Sequence, residues 1–401
     1  MNGMLWWTLA CVLTILSALA AYQWTLALAA LLPWRRRGVN ASGEPARFVV
    51  IVPAHNEETT LAPTLRSLAA VEYPGALVRV IVVADRCTDG TAAIARAAGA
   101  ECKERRTGEP GKGAAIGWAI DRVRNDGVAF DALVIIDADT IAHPQLFTAF
   151  ARRLRAGDDV QQGYNYLSNP WDTPFTRIIS VTSVLRNGLF YRGKERLGLP
   201  SMLSGTGMCF SRRVLERNGW TAFSVGEDWE FSASLLLNGE AVHFNNDARV
   251  MARESRGFRQ ASSQRLRWAG GRHAVAGAAA LRLFAAGVRR RRFALCDAAL
   301  TISAPTYSAQ ATAAGVCLAL GWALSGDPSW RAIAEWAAAV TAMLAGYFVL
   351  GLSLTESPAK ALAGIALIPV FLPWRMAIEI LGLLGYGRKR WVRTARIPSG
   401  V

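Results

Sequence analysis

From Met4 to Trp34 the chain has no charged residue. At about 1.5 Å rise per residue, a helix of that length crosses a hydrocarbon core of about 30 Å with length to spare. The stretch also lacks the basic start and small-residue cleavage site of a secretory signal, so it reads as a membrane helix and not a leader. Acidic residues are few: 30 Asp and Glu stand against 45 Lys and Arg, a formal net charge of +15. Zinc-finger, basic-zipper and RNA-recognition patterns are missing, so the basic excess lacks the marks of a nucleic-acid binder. Its arginines instead clump at Arg35, Arg36 and Arg37, at Arg289 to Arg292, and from Arg388 to Arg396. Each clump flanks an apolar stretch, the placement expected of cytosolic flanks that meet anionic lipid. The six cysteines are scattered and form no C-x-x-C pair, which argues against a zinc ribbon and fits reduced, space-filling residues in a cytosolic domain. No internal repeat is evident, and the apolar segments are too few for an alternating-access transporter.

What is present is a high apolar fraction, 52%, concentrated at the two ends. Mean hydropathy is +0.20. The expected organisation is an N-terminal membrane helix within residues 1–37 and a cytosolic globular domain over 46–285, with interfacial helices near 260–285. A membrane region over 293–387 and a basic tail over 388–401 follow. Positive-inside placement puts the N-terminus outside and everything after Arg35 in the cytosol of a multi-pass protein of the inner (plasma) membrane. Phe293 to Ser325 and Trp330 to Leu354 are each long enough to span. Ala361 to Tyr386 is interrupted by Pro369 and Pro373 and carries Arg375 and Glu379, which are spaced to pair on one helical face. A full fourth span would put five basic residues outside. The reading is therefore three spans, a broken or surface-lying fourth segment and a cytosolic tail.

Within the globular part, short apolar runs alternate with helical stretches. Phe48 to Val52, Val78 to Val83 and Ala132 to Ile136 have the length and composition of buried parallel strands. Glu57 to Ala70, Gly90 to Ala98 and Gly113 to Val123 read as helices. The alternation predicts an α/β domain with a mostly parallel sheet, whose ligands gather at the carboxyl ends of the strands.

The polar residues at those ends carry the chemistry. Asp137-Ala138-Asp139 follows a buried strand directly, and two carboxylates one residue apart can approach one hard divalent cation. The alternative is a pair of solvated turn aspartates. Asp85 ends the second strand and can accept hydrogen bonds from a base or ribose, while Thr88 or Asp89 can cap the next helix. Pro53-Ala54-His55-Asn56-Glu57-Glu58 reads either as a nucleotide-facing loop or as acids complementing a helix dipole. Gly111-Lys112-Gly113 either lets a lysine approach phosphate or a uracil carbonyl closely, although P-loop spacing is absent, or is a flexible turn. In Gly226-Glu227-Asp228-Trp229-Glu230, a partly buried carboxylate can serve as general base, or Asp228 can cap the helix that follows. Gln264-Arg265-Leu266-Arg267-Trp268 offers guanidinium groups and a stacking indole, for a diphosphate and a sugar or for an interfacial helix.

Taken in order, P-x-H-N-E, D-R-C-T-D-G-T, G-K-G, D-x-D, G-T-G, E-D and Q-x-x-R-W resemble the inverting family-2 glycosyltransferases of the membrane polysaccharide-synthase type. Cellulose, chitin and hyaluronan synthases and ceramide glucosyltransferase belong to that group. The resemblance runs from about Phe48 to Arg272 and implies a GT-A type domain using a UDP-sugar donor with Mg²⁺ or Mn²⁺. It implies a donor site of Pro53, Glu57, Asp85, Lys112, Asp137, Gln264, Arg267 and Trp268, with Lys112 near the uridine bound by Asp85. Asp137 and Asp139 would hold the metal, and Asp228 would be the catalytic base. Gly205, Thr206, Gly207, Glu227 and Trp268 would meet the acceptor. Many members have T-E-D where this chain has Gly226-Glu227-Asp228. The implied acceptor is a polysaccharide or lipid-linked saccharide, in cell-envelope or exopolysaccharide synthesis. A ceramide- or diacylglycerol-type lipid glucosyltransferase and a non-catalytic nucleotide-binding membrane protein are the alternatives.

Overall fold

The computed structural model describes residues 2–33 and 44–387. The arginine flank at 35–37 and the basic tail over 388–401 lie outside the described residues.

The chain begins with the apolar helix α1 (Asn2–Leu31). The globular unit follows as β1 (Phe48–Ala54), α2 (Leu61–Ala69), β2 (Val78–Asp85), α3 (Thr91–Ala97), β3 (Glu101–Arg105) and α4 (Lys112–Asn125). It continues through β4 (Ala132–Ile135), β5 (Thr140–Ala142), α5 (Leu146–Arg155), β6 (Val160–Leu167), α6 (Pro174–Ser183) and α7 (Arg192–Arg196). A π-helical stretch, Val184–Tyr191, joins α6 to α7. Then come β7 (Met208–Ser211), α8 (Arg212–Asn218), α9 (Glu227–Leu237), β8 (His243–Ala252) and the long α10 (Phe258–Arg290). Five helices complete the described chain: α11 (Phe293–Ser303), α12 (Tyr307–Ala323), α13 (Pro328–Ser353), α14 (Pro358–Leu362) and α15 (Ile368–Leu383).

The eight strands form one mixed sheet in the order β3-β2-β1-β4-β7-β6-β8-β5. The first four strands are mutually parallel, as the alternating pattern predicts, whereas β7 runs antiparallel to both β4 and β6. Strand alternation divides the core into two layers. Phe48, Val50 and Val52 face Leu61 and Leu65 of α2 and Phe147 and Phe150 of α5. Val49 and Ile51 face Ile116 and Ile120 of α4 and Phe231 of α9. Each such buried side chain contributes about 1.5–3 kcal/mol relative to exposure, and together they hold the β1, β2 and β4 carboxyl ends in one row.

Three helical segments are long and apolar enough to cross a membrane: Gly3–Leu31, Pro328–Ser353 and Pro358–Leu383. The expected single helix over Phe293 to Ser325 is two helices, α11 and α12. Pro305 has no N–H to continue the ladder, Ala304 is extended, and the Thr306 hydroxyl caps α12 by accepting from Ala309 N at 3.4 Å. Pro358–Leu383 is itself interrupted, by a 3-10 turn at Ile365–Leu367 between α14 and α15.

Helix α1 packs at two levels. Leu13, Leu16 and Ala20 meet Ile333, Ala337 and Val340 of α13, while Ala27 and Ala30 meet Val181, Leu185 and Leu189 of the globular unit. The Arg196 guanidinium donates to the carbonyl oxygens of Ala29, at 3.1 Å, and Leu32, satisfying the end of α1. Gly193 is required at the crossing, because a Cβ there would lie 2.1 Å from the Leu26 carbonyl oxygen.

Candidate functional site

The carboxyl ends of β1, β2 and β4 open into one cavity of about 940 Å³. It reaches from Asp85 and Asp137 at the sheet to Tyr307 and Tyr347 among the apolar helices. Pro53, Glu57, Lys112, Asp139, Gly205, Thr206, Glu227, Asp228, Gln264, Arg267 and Trp268 all line it. The sequence candidates, spread over more than two hundred positions, therefore share one space, except Gly207, which does not line it.

The β1 and β2 ends are tied together by their loops. Asn56 adopts a left-handed backbone conformation, and its side chain accepts from Thr88 N at 2.7 Å. Glu58 accepts from Gly90 N at 3.0 Å, and Asp89 accepts from Thr91 N at 3.0 Å and from Glu58 N at 3.2 Å. Asp89 is thus bonded into the loop before α3, but the N-cap position is Gly90, so neither Thr88 nor Asp89 caps that helix. His55 Nδ1 lies 2.7 Å from the Asp85 carbonyl oxygen. A carbonyl only accepts, so this nitrogen carries the proton.

Asp85 is buried and held by two guanidinium groups, Arg105 at 2.6 Å and Arg86 at 3.1 Å. Arg105 was not visible as a site residue in the sequence. It sits at the end of β3, a strand whose Glu-Cys-Lys-Glu-Arg reading is nearly all polar.

Lys112 lines the same cavity as Asp85 and is tied to the Asp137 and Glu227 side of it. Gly111, at φ 124°, turns the chain into α4, and Gly113 has its missing Cβ position 2.4 Å from the Ala222 carbonyl oxygen. That close approach sends the Lys112 ammonium to Asp137 Oδ1 at 2.7 Å, Glu227 Oε1 at 3.2 Å and the Gly205 carbonyl oxygen at 2.7 Å. Burial opposes its charge, but Asp137 and Glu227 outweigh it and raise the ammonium above the ordinary lysine range. Gly205 and Gly207 both have positive φ, and between them the Thr206 hydroxyl accepts from Asp137 N at 3.1 Å. The G-T-G turn thereby fixes the start of Asp137-Ala138-Asp139.

Asp228 lies in the first turn of α9, whose N-cap position is Gly226, so it does not cap that helix. Its Oδ1 accepts from Trp229 N at 2.9 Å. Burial and then the neighbouring Glu227 push its carboxyl up to about 7, with Lys112 pulling the other way. Gly226 is where the chain departs from T-E-D, and packing accounts for it. A Cβ at Gly226 would stand 3.0 Å from the Gly271 carbonyl oxygen, and one at Gly271 would stand 3.1 Å from Gly226 N. This glycine-on-glycine contact lets α10 lie directly against the E-D turn.

Helix α10 carries Gln264, Arg267 and Trp268 to the same cavity. Burial lowers the Arg267 guanidinium, with Asp137, Glu227 and Glu57 opposing. The Trp268 indole is 48% exposed, and Arg265 stacks on it at 4.9 Å. Arg265 also pairs with Glu254 at 2.5 Å.

Asp137 and Asp139 present two half-buried carboxylates to the cavity, in a site with Glu57, Glu227 and Asp228 nearby. Such hard oxygen donors fit a divalent cation whose remaining positions are filled by diphosphate and water. Among the described residues, Asp158, Glu195 and His243 form the one compact group of three metal-type ligands, with atoms within 4.8 Å. Arg153 pairs with both of those carboxylates, so that cluster is an ion-pair network.

Residues 45–271, more than half of the chain, match the family described as glycosyltransferase like family 2. The chain is 25% identical over 246 residues to the probable glycosyltransferase YdaM of Bacillus subtilis, covering 58% of this chain and 56% of that protein. It is 26% identical over 206 residues to a probable glycosyltransferase of Sulfolobus acidocaldarius, covering 48% and 43%. The matches thus span about half the length of these relatives. A solved mannosyltransferase of Pyrobaculum calidifontis, in complex with GDP-Man and Mn²⁺, superposes with a TM-score of 0.48 at 19% identity, over 84% of this chain and 98% of that one. Glucosyl-3-phosphoglycerate synthase of Mycobacterium tuberculosis, with Mn²⁺, UDP and phosphoglyceric acid, gives 0.42 at 23%, over 63% and 84%. On the match over residues 45–271, the chain belongs to glycosyltransferase family 2.

Proposed function

We propose that the protein is a membrane-bound, inverting hexosyltransferase that moves a sugar from a nucleoside-diphosphate donor, a UDP-sugar, to a polysaccharide or lipid-linked saccharide. The observation that carries this reading is a half-buried carboxylate of raised proton affinity, Asp228, in a cavity whose other walls are the sheet ends and the apolar helices. A carboxyl poised near neutrality suits a general base.

In the proposed step, Asp228 takes the proton of the acceptor hydroxyl. The hydroxyl oxygen bonds to the anomeric carbon, the bond from that carbon to the diphosphate oxygen breaks, and the electron pair leaves with the nucleoside diphosphate. Asp85, positioned by Arg105 and Arg86, accepts from the base or ribose, with Pro53 and Glu57 beside it. Arg267 and Gln264 face the diphosphate, and Lys112 keeps Asp137 and Glu227 oriented. A Mg²⁺ or Mn²⁺ ion, bound by Asp137 and Asp139, would neutralise charge on the diphosphate. Trp268, Glu227 and the Gly205-Thr206-Gly207 turn would face the acceptor. The catalytic unit, residues 46–285, would lie on the cytosolic side of the inner membrane, with membrane segments within 1–37 and 293–387.

A lipid acceptor is the second reading, and it is favoured by the reach of the cavity to Tyr307 and Tyr347. Purified protein incubated with a panel of nucleotide sugars, Mn²⁺ and glycan and lipid acceptors should release nucleoside diphosphate with one donor above all. No release with any donor would refute transferase activity and favour a nucleotide-binding protein.

A further inference from the structure

The chain between β3 and α4, residues 106–111, is strapped to the sheet by two guanidinium groups. β2 and β3 run parallel with Asp85 opposite Arg105, so the last side chains of the two strands meet. Arg105 Nη1 donates to Asp85 Oδ1 at 2.6 Å, and its Nη2 donates to the Glu109 carbonyl oxygen. Arg86, just past the end of β2, repeats the pattern. Its Nη1 donates to the same Oδ1 at 3.1 Å, and its Nη2 donates to the Gly108 carbonyl oxygen. The Arg86 backbone is left-handed, at φ 51°, a conformation unfavourable to a residue with a Cβ. It is held there by Arg86 N, which donates to the Arg105 carbonyl oxygen at 2.8 Å. Gly108 is itself at φ 85°, and a Cβ there would stand 3.1 Å from Arg105 Nη2.

The straps leave the Asp85 carboxylate little freedom to turn. Its Oδ1 holds two donors. Its Oδ2 has no hydrogen-bond partner among the described residues and is not sealed off, and Asp85 lines the cavity with Arg86, Pro110, Gly111 and Lys112. A carboxylate that can rotate accepts equally from the ring N–H of uracil or from the amino group of cytosine. A carboxylate held in one place accepts at one position of that edge, and a base with a lone pair there is repelled. The strapped loop runs directly into Gly111 and Lys112, so the same two arginines also set the span from Asp85 to the ammonium that meets Asp137.

We propose that Arg105 and Arg86 are positioning residues for selection of the donor's base. They fix Asp85 Oδ2 where it accepts from the uracil ring N–H, and they hold the 106–111 loop beside the nucleoside. The proposal rests on the uridine-donor reading above and adds to it how uracil is told from cytosine.

The test measures UDP and CDP dissociation constants for the full chain in detergent, with Mn²⁺ present throughout, by isothermal titration calorimetry. The wild-type protein is expected to bind UDP about tenfold or more tighter than CDP. Arg105→Met should narrow that ratio to within about threefold, because the released carboxylate can turn to the cytosine amino group. Arg86→Met changes a side chain that is 28% exposed, so the fold tolerates it more easily, and it should narrow the ratio in the same direction. Equal loss of UDP and CDP binding in both variants, with the ratio kept, would mean that the arginines only support the fold, and would overturn the proposal. Lowered thermal stability with both affinities unchanged would overturn it as well, and so would a wild type that does not distinguish the two nucleotides. A wild type that prefers CDP would refute the uridine donor, and a narrowing of that preference in both variants would still uphold the straps; a preference that stayed as wide would refute both.

Discussion

Asp228→Asn is the most informative single change. It keeps the side-chain volume and the hydrogen bond from Trp229 N, but removes proton acceptance. General-base contributions are typically 10²–10⁴-fold, so turnover should fall by about two orders of magnitude or more. Donor binding should survive, because Lys112 remains tied to Asp137 and Glu227 and Asp85 remains tied to Arg105. The wild-type profile carries a second signature. Burial and Glu227 raise the Asp228 carboxyl to about 7, so the base is protonated below that pH and the rate should drop roughly tenfold per unit of acidification. The variant has no such limb. The sign for stability is opposite to that of a salt-bridged aspartate. An acid whose folded affinity for the proton is raised makes the fold less stable as pH rises from its ordinary value of 3.8 to about 7. Asp228→Asn should therefore melt higher than wild type at pH 8 and the two should converge near pH 4. The assays are nucleoside-diphosphate release across pH 5–9 and thermal unfolding at the two pH values. Near-normal turnover in Asp228→Asn, or an acid limb that persists in it, would refute the base assignment.

EDTA should abolish transfer and Mg²⁺ or Mn²⁺ restore it, with Asp139→Ala mimicking the chelator without unfolding the domain; full activity in EDTA would remove the metal from the mechanism. Trp268→Ala should raise the acceptor KM more than it weakens UDP binding, since the indole is exposed in the cavity away from Asp85; equal loss of both would mean a structural role. Gly193→Ala places a methyl 2.1 Å from the Leu26 carbonyl oxygen, so it should lower stability by about 1–3 kcal/mol and loosen α1 from the globular unit, read as earlier thermal unfolding in detergent. A cysteine at Ser399 should resist a membrane-impermeant thiol reagent in intact cells and react after permeabilisation; labelling in intact cells would establish an external tail.

The parts of the fold legible in the sequence are those where apolar content and burial coincide. β1, β2 and β4 read as strands because their central residues are buried on both faces. The rest of the sheet was hidden by buried polar residues that look like loop. In β6, Gln161 accepts from Asn245 of β8 at 2.8 Å and donates to the Phe150 carbonyl oxygen at 3.1 Å. Gln162 donates to the Thr206 carbonyl oxygen at 3.0 Å and accepts from Ser204 N at 2.8 Å. Besides the nearby Asp158 and Gly163 carbonyl oxygens, these amides are satisfied by partners distant in sequence, which no local pattern reveals. Gln162 also holds the G-T-G turn, whose own composition gave no sign of that support. The site candidates were legible because short motifs survive without their context. Arg105, Arg272 and the cavity face of Arg375 were not, because single arginines in a chain of 45 basic residues carry no signal until the backbone brings them together.

Among the described residues the span candidates differ from the expected ones. Phe293 to Ser325 divides into α11 and α12, and Gly3–Leu31, Pro328–Ser353 and Pro358–Leu383 are the three segments long and apolar enough to cross. Three crossings from an outside start would leave the basic tail inside, in keeping with the positive-inside tendency. The contacts of α15 show what meets its polar face. Its polar residues turn to α10, where Arg375 and Glu379 meet Arg272 and His273. Its aromatic residues Phe371 and Trp374 pack on Phe175 and Phe258 of the globular unit. A helix fully surrounded by lipid could not keep an ion pair of this kind without severe desolvation cost. Docked along the Q-x-x-R-W helix, Glu379 of this pair is met by Arg272 and His273 as well. Pro373 is tolerated within α15 for the same reason, since the surrounding packing and not the helix's own ladder fixes its path. The segment is long and apolar enough to cross a membrane, and Arg375 and Glu379 on one of its faces line the cavity.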